Sequence, residues 1–237
     1  MMDKHFGGKS VVEHLKEARA RGALASAEIH GTEMPGHLAA GADAARETAL
    51  ILGILYLVFP TSLSLILLVS LGILIWKVGR SAMLGWSRLE RLHRLIEEER
   101  REIEHDRKQE EEELTALYSA KGFSGQLLKD VVSTLASDDN RLLRVMLEEE
   151  MGLTLEVYEH PLKQCLGAGV GVIIATLLCS ITSTLGPWLF GLAVASIFIT
   201  SATVMARLQK NRALEAIIWN LALLAFATGA VYLLKKI

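Results

Sequence analysis

Long apolar stretches flank one densely charged middle segment of the chain. The first apolar block covers about 38–78 and is divided near Pro60, and the second covers about 162–234. Breaks at 186–187 and at 207–212 divide the second block into three pieces. An α-helix needs about 20 apolar residues to cross a bilayer. The pattern therefore predicts five transmembrane helices, two before the charged segment and three after it.

The first predicted span is the weakest of the five because it carries charge. Only residues 48–59 are purely apolar, so a full span must include Asp43, Arg46 and Glu47. Charged side chains inside a membrane are rare, and by default they indicate function. Two alternatives remain open for them. They face a protein or water-filled interior, or the span begins late and they lie at the membrane interface.

The charged middle segment begins with a helical stretch over 86–113, which we expect to break near 105–108. Two glutamate pairs lie in this stretch, each with a three-residue spacing that projects both side chains from one helix face. The pairs are Glu99 with Glu102 and Glu110 with Glu113. The pattern predicts two carboxylate-bearing faces, one on each side of the break.

The rest of the middle segment is also predicted to be helical. Lys121 to Ser124 is typical of a helix stop followed by a new N-cap, and it leads into a helix over 126–136. A further helix over about 140–151 places Met146 and Glu150 four residues apart on one face. The segment could therefore bring several carboxylates and one thioether together.

Convergent carboxylates raise one another's pKa through repulsion, and a divalent cation relieves that repulsion. Oxygen ligands suit Fe²⁺, Mn²⁺, Mg²⁺ or Ca²⁺, and a methionine sulfur shifts the balance toward transition metals. The alternative is a solvated helical face stabilised by pairs such as Glu98–Arg101 and Arg100–Glu104. Spacing alone leaves both interpretations open.

Composition excludes several other classes. The net charge of −2 gives no overall field that would favour nucleic acid. The two cysteines, Cys165 and Cys179, lie in an apolar run and build neither a disulfide framework nor a zinc motif. The seven histidines are dispersed, without a catalytic constellation. We expect neither enzymatic activity nor a resident cofactor.

The predicted fold is an all-α membrane protein with five transmembrane helices and a three-helix cytoplasmic domain rich in carboxylates. Lys and Arg residues place the N-terminus, this domain and the 207–212 loop in the cytoplasm. A short amphipathic helix is expected over 10–28. The predicted divisions are a polar N-terminal segment at 1–36, spans 1 and 2 at 37–85, the cytoplasmic domain at 86–160, and spans 3 to 5 at 161–237.

The central sequence resembles the metal-binding domain of the vacuolar iron transporter family. The matching pieces are the acidic run at 97–103, the turn motif at 117–124, the Met-Leu-Glu-Glu-Glu-Met-Gly-Leu run at 146–153, and the His-Pro-Leu-Lys entry to the third span at 160–163. The resemblance covers roughly residues 38–237. It implies the same five-span topology, with the charged domain between spans 2 and 3.

The resemblance also implies a ligand set and an activity. The family's coordinating glutamates match Glu99, Glu102, Glu110, Glu113 and Glu150. Met146 matches the first of two coordinating methionines, and Leu147 occupies the position of the second. The implied protein is a homodimer that captures Fe²⁺, and related ions such as Mn²⁺ or Zn²⁺, on the cytoplasmic side. It would export them in exchange for protons.

The membrane part departs from the family pattern. The family's first span has an Asp-Gly followed by a proline, whereas here Asp43 is the nearest acid and no proline follows. The second span has Lys77 and Arg80 near the place where the family has a Gly-Glu-Tyr. A cation there would repel Fe²⁺. Either Asp43 and Glu47 form the transport path, paired with Arg46 or Arg80, or this member has lost or altered transport.

Three hypotheses follow for function. The first is a transporter of iron, or of manganese, that serves metal homeostasis. The second is a membrane-anchored metal buffer or sensor without a competent path, and the third is a membrane scaffold whose charged helices dock a partner protein. The host membrane would be the plasma (inner) membrane in a bacterium, or a vacuolar or other organelle membrane in a eukaryote.

Overall fold

A computed structural model describes residues 16–17, 19–20, 36–59, 62–153 and 160–236. Within these ranges the protein is helical and contains no strand, which confirms the all-α prediction for the described residues. The helices are α1 Gly36–Val58, α2 Leu63–Ala120, α3 Gly125–Leu135, α4 Asp139–Glu149, α5 Pro161–Leu185, α6 Pro187–Leu208 and α7 Ala213–Lys235. Most of the helix predicted over 10–28 lies outside the described residues, and the four of its residues that are described are helical.

The described chain divides into two compact units. The charged unit contains residues 87–153 and the few described N-terminal residues, and the apolar unit contains 36–86 and 160–236. Helix α2 contributes residues to both units.

Four described helices are long and apolar enough to cross a membrane: α2, α5, α6 and α7. Four of the five predicted spans therefore meet this criterion. The remaining one, α1, is a helix of 23 residues, but Asp43, Arg46 and Glu47 make it less apolar than the others. Its role as a fifth span stays a prediction.

Helix α1 packs inside the apolar unit. Its Ala49 and Leu52 are fully buried, in a cluster that includes Ala175 of α5 and Val194 of α6. The crossing with α5 is so close that a Cβ at Gly171 would overlap the backbone carbonyl of Gly41. Small residues allow this approach, as is common between helices in lipid. The charges of α1 are therefore carried by a helix that packs against α5 and α6.

A kink at Asp106 breaks the regular course of α2. The backbone there has φ −143° and ψ 59°, outside the helical region. Ile103 before the kink and Leu114 after it belong to the same buried cluster, so the chain folds back across Asp106. The predicted break near 105–108 is confirmed.

The two short helices of the charged unit lie within two residues of their predicted ends. Helix α4 starts after Asp138, whose side chain accepts a hydrogen bond from the backbone N–H of Arg141 at 2.9 Å, an N-cap that satisfies one free donor. Gly122, at φ 97°, adopts the left-handed conformation that a helix stop requires. Local turn chemistry thus determines where these helices begin.

Candidate metal-binding site

The predicted ligands come from three places in the charged unit. Four glutamates lie on α2, Met146 lies on α4, and Glu150 caps the C-terminus of α4. Counted along the sequence from Asp106, the glutamates of α2 are symmetric about the kink. Glu102 and Glu110 lie four residues from Asp106, and Glu99 and Glu113 lie seven residues from it. Folding at the kink therefore allows the glutamate-bearing face before Asp106 to approach the one after it.

Burial separates these acids from the many others in the segment. Glu99, Glu110 and Glu113 are each 1% exposed, and Glu150 is 2% exposed. Carboxylates are almost never buried to this extent unless they are paired or bind a metal. Glu102 is partly buried. By contrast, the side chains that a solvated face would present are exposed, among them Glu97, Glu98, Glu104 and Glu112.

The surroundings of the buried acids are apolar. Met146 is fully buried in the core cluster, together with Leu114, Leu142 and Leu147. The thioether therefore lies within the core rather than on its surface. Such packing excludes water, so charges within it interact more strongly than they would in solvent.

The electrostatics of Glu99 show that the carboxylates converge. The pKa of Glu99 is raised from 4.5 to about 10, first by burial and then by the charges of Glu150, Glu110, Glu102 and Glu113, in that order. All four other predicted glutamates therefore act on one side chain. Glu99 Oε1 is buried and has no hydrogen-bond partner among the described residues. A cation near that oxygen would offset both the repulsion and the lost hydration.

The convergence is not a finished coordination shell. Among the described residues, no group of three or more His, Cys, Asp or Glu side chains is arranged to hold one metal ion. Repulsion between ionised carboxylates in an apolar setting opposes their close approach. The residues can gather around a cation, but they do not form a ready-made cage.

Neighbouring acids outside the core pair with basic side chains. Glu148 accepts a hydrogen bond from Arg144 at 3.0 Å, and Glu149 forms an ion pair with Lys121. Of the three consecutive glutamates at 148–150, only the last is buried. The four-residue spacing from Met146 and the family resemblance both select Glu150, and its burial gives the physical reason, because the face of α4 that carries Met146 packs inward.

The charged residues of α1 form pairs of their own. Arg46 contacts Asp43 and donates to the side-chain oxygen of Asn220 on α7 at 2.8 Å. Glu47 forms an ion pair with Lys77 of α2. The alternative in which these side chains face a protein interior therefore fits Asp43 and Arg46, which are partly buried, whereas the side chain of Glu47 is 53% exposed.

The charge pattern predicts Arg46 or Arg80 as partners of the α1 acids and does not indicate two further contacts. Lys77, rather than the exposed Arg80, pairs with Glu47, and Asn220 supports Arg46. Asn220 is the one amide in an apolar run of α7, which is the signal that could have identified it. No pattern in the sequence links residue 47 to residue 77.

Comparison with known proteins gives one family. The model of the VIT family matches residues 86–236, which include the whole charged segment and the last three predicted spans. A search of curated proteins finds no match.

Proposed function

The chain belongs to the VIT family of membrane metal ion transporters, and we propose that it moves a divalent metal ion out of the cytoplasm. Iron as Fe²⁺ is the first candidate, Mn²⁺ the second and Zn²⁺ the third. With several helices apolar enough to span a bilayer, the chain is a multi-pass integral membrane protein.

One observation carries the choice of a metal as cargo. Four glutamates, Glu99, Glu110, Glu113 and Glu150, are buried around one apolar core, and the charges of the other glutamates raise the pKa of Glu99. A solvated charged face would leave these side chains in water. Burial of several acids together is unfavourable without a cation to neutralise them.

The roles of the six residues follow from their chemistry. The buried glutamates supply hard oxygen ligands, and the partly exposed Glu102 is the side chain that an arriving ion would meet first. Met146 supplies a soft sulfur ligand, which favours Fe²⁺ over Mg²⁺ or Ca²⁺. Binding would draw the carboxylates inward, because the cation replaces their repulsion with attraction.

The remaining parts of the proposal rest on the resemblance and on the charge pattern. The functional protein is a homodimer. Each subunit has five spans, which are α1 and the four apolar helices α2, α5, α6 and α7. The charged unit lies in the cytoplasm, and protons move in exchange for the metal. Asp43 and Glu47 are the acids of the membrane path. The host membrane is the plasma (inner) membrane in a bacterium, or a vacuolar or other organelle membrane in a eukaryote.

Metal flux into proteoliposomes tests the proposal. Purified protein should transport Fe²⁺ or Mn²⁺, and Glu102→Ala plus Glu113→Ala should remove most of that flux because two ligands are lost. A matched control, Glu104→Ala plus Glu112→Ala, removes the same charge from exposed positions of the same helix and should retain the flux. Equal flux in both double variants would refute capture by the buried set.

The second candidate function is a membrane-anchored metal buffer or sensor. The ion pairs of Asp43 and Glu47 favour it, because each acid of the proposed path already holds a cation of the protein. Metal binding to the intact protein, without flux above that of empty liposomes, would support this candidate and exclude transport.

A further inference from the structure

Lys77 is a buried cation in the part of α2 that belongs to the apolar unit. It is 9% exposed, whereas Ile75 and Trp76 beside it are largely exposed on the apolar outer face of the helix. A buried lysine in a membrane span is costly unless it is paired, and by default it indicates function.

The partner of Lys77 is Glu47, and the two side chains differ in exposure. The lysine side chain is 10% exposed, and that of Glu47 is 53% exposed. The carboxylate is therefore held from inside by the ammonium group, while part of it remains open to an approaching ion. A second cation could reach Glu47 only in competition with Lys77.

Arg46 is held differently from Lys77. Arg46 contacts both Asp43 of its own helix and Asn220 of α7, so two helices fix its planar head. The contacts within the described residues give Lys77 one ion-pair partner, at the end of a flexible four-carbon stem. Lys77 is thus the cation that can leave its acid.

An alternative acceptor for Lys77 lies one helical turn further along α2. Ser81 is four residues from Lys77, so the two side chains share a helix face. The Ser81 hydroxyl is buried and has no hydrogen-bond partner among the described residues. It can accept a hydrogen bond from the ammonium group once Glu47 is occupied.

We infer that Lys77 is a tethered cation that occupies Glu47 in the absence of metal, and that a divalent ion entering the path displaces it toward Ser81. The inference rests on the proposed function, since it describes how the acids of the path receive their cargo. Lys77 would then control access of metal to Glu47, rather than only repel the metal from the path. Affinity for metal at Glu47 is then set by competition with an internal charge.

Binding of Mn²⁺ to the purified full-length protein tests this inference. The free-ion electron paramagnetic resonance signal reports binding, in a background carrying Glu102→Ala plus Glu113→Ala so that capture by the charged unit is weakened. Lys77→Met keeps the apolar stem and removes the charge. It should increase Mn²⁺ affinity about tenfold or more, since an opposing charge a few ångströms away is removed.

Three further variants make the test specific. Lys77→Arg retains the charge and should leave affinity low, and Arg80→Met removes an exposed charge from the same helix and should change little. Ser81→Ala removes the alternative acceptor and should weaken binding in the presence of Lys77, but should have no effect once Lys77→Met is present. Lys77→Gln replaces Lys77→Met if the latter does not fold.

Unchanged affinity in Lys77→Met and Lys77→Gln would overturn the inference. An equal gain in Arg80→Met would also overturn it, because the effect would then be general electrostatics. Flux into proteoliposomes is measured separately. If Lys77→Met gains Mn²⁺ affinity but the protein without substitutions shows no flux, the role of Lys77 is supported and transport is refuted.

Discussion

At the scale of single residues, Glu99 shows the energetic consequence of gathering carboxylates in an apolar core. Its pKa is raised to about 10, first by burial and then by the charges of the neighbouring glutamates. The folded protein therefore holds a proton on Glu99 at neutral pH, whereas the unfolded chain releases it above about pH 4.5. This difference links stability to pH.

We predict that the metal-free protein loses stability as the pH rises from 5 to 9. Over this range the unfolded chain has released the proton that the folded chain keeps, so the free energy of unfolding falls by at most about 1.4 kcal/mol per pH unit. Thermal unfolding in detergent with a chelator present measures the loss. Added metal should reduce it, because the cation stabilises the ionised carboxylates in the folded state.

Glu99→Gln is the control for this pH dependence. The amide has nearly the same shape and does not titrate, so the variant should show a flatter dependence of melting temperature on pH. Glu98→Gln, at an exposed neighbouring position, should behave as the parent protein does. If the melting temperature depends on pH equally in all three proteins, Glu99 is ionised in the folded state.

At the scale of elements, the kink at Asp106 sets the relation between the two glutamate-bearing parts of α2. Spacing predicted the glutamate pairs and the break between them from local information alone. Which glutamates are buried could not be read in the same way, because it depends on which faces pack against Leu142 and Met146 of α4. That packing is a tertiary property of the fold.

One alanine inserted after Lys108 should disrupt metal binding. Each added residue rotates the following helix by about 100°, which would turn Glu110 and Glu113 away from Glu99. Affinity for Mn²⁺, measured on the full-length protein, should fall more than about tenfold, equivalent to about 1.4 kcal/mol.

An alanine inserted after Gly122 serves as the comparison for this insertion. Residues 121–122 form a turn between two helices, and turns tolerate added residues better than helices do. This variant should retain most of the affinity. Similar affinities in the two insertion variants would show that the site does not depend on the register of α2.

At the scale of the whole molecule, hydropathy predicts α2, α5, α6 and α7 as spans because each contains an apolar run long enough to cross a bilayer. Hydropathy alone does not determine whether α1 crosses the membrane. That helix carries three charged residues, and their partners Lys77 and Asn220 lie far away in the sequence. Only the folded apolar unit shows that these charges meet protein groups.

Those ion pairs also affect how metal transport would respond to the membrane potential. Arg46 and Lys77 neutralise the acids of α1, but they are tethered and cannot cross the bilayer with the cargo. A divalent ion moving alone across 100 mV involves about 4.6 kcal/mol of electrical work. Once the ion has left, Arg46 and Lys77 can neutralise Asp43 and Glu47 again without a proton. We therefore expect fewer than two protons per ion and a flux that responds to a potassium diffusion potential. A flux insensitive to voltage, with two protons exchanged per ion, would show that the balancing charge moves through groups other than Asp43 and Glu47.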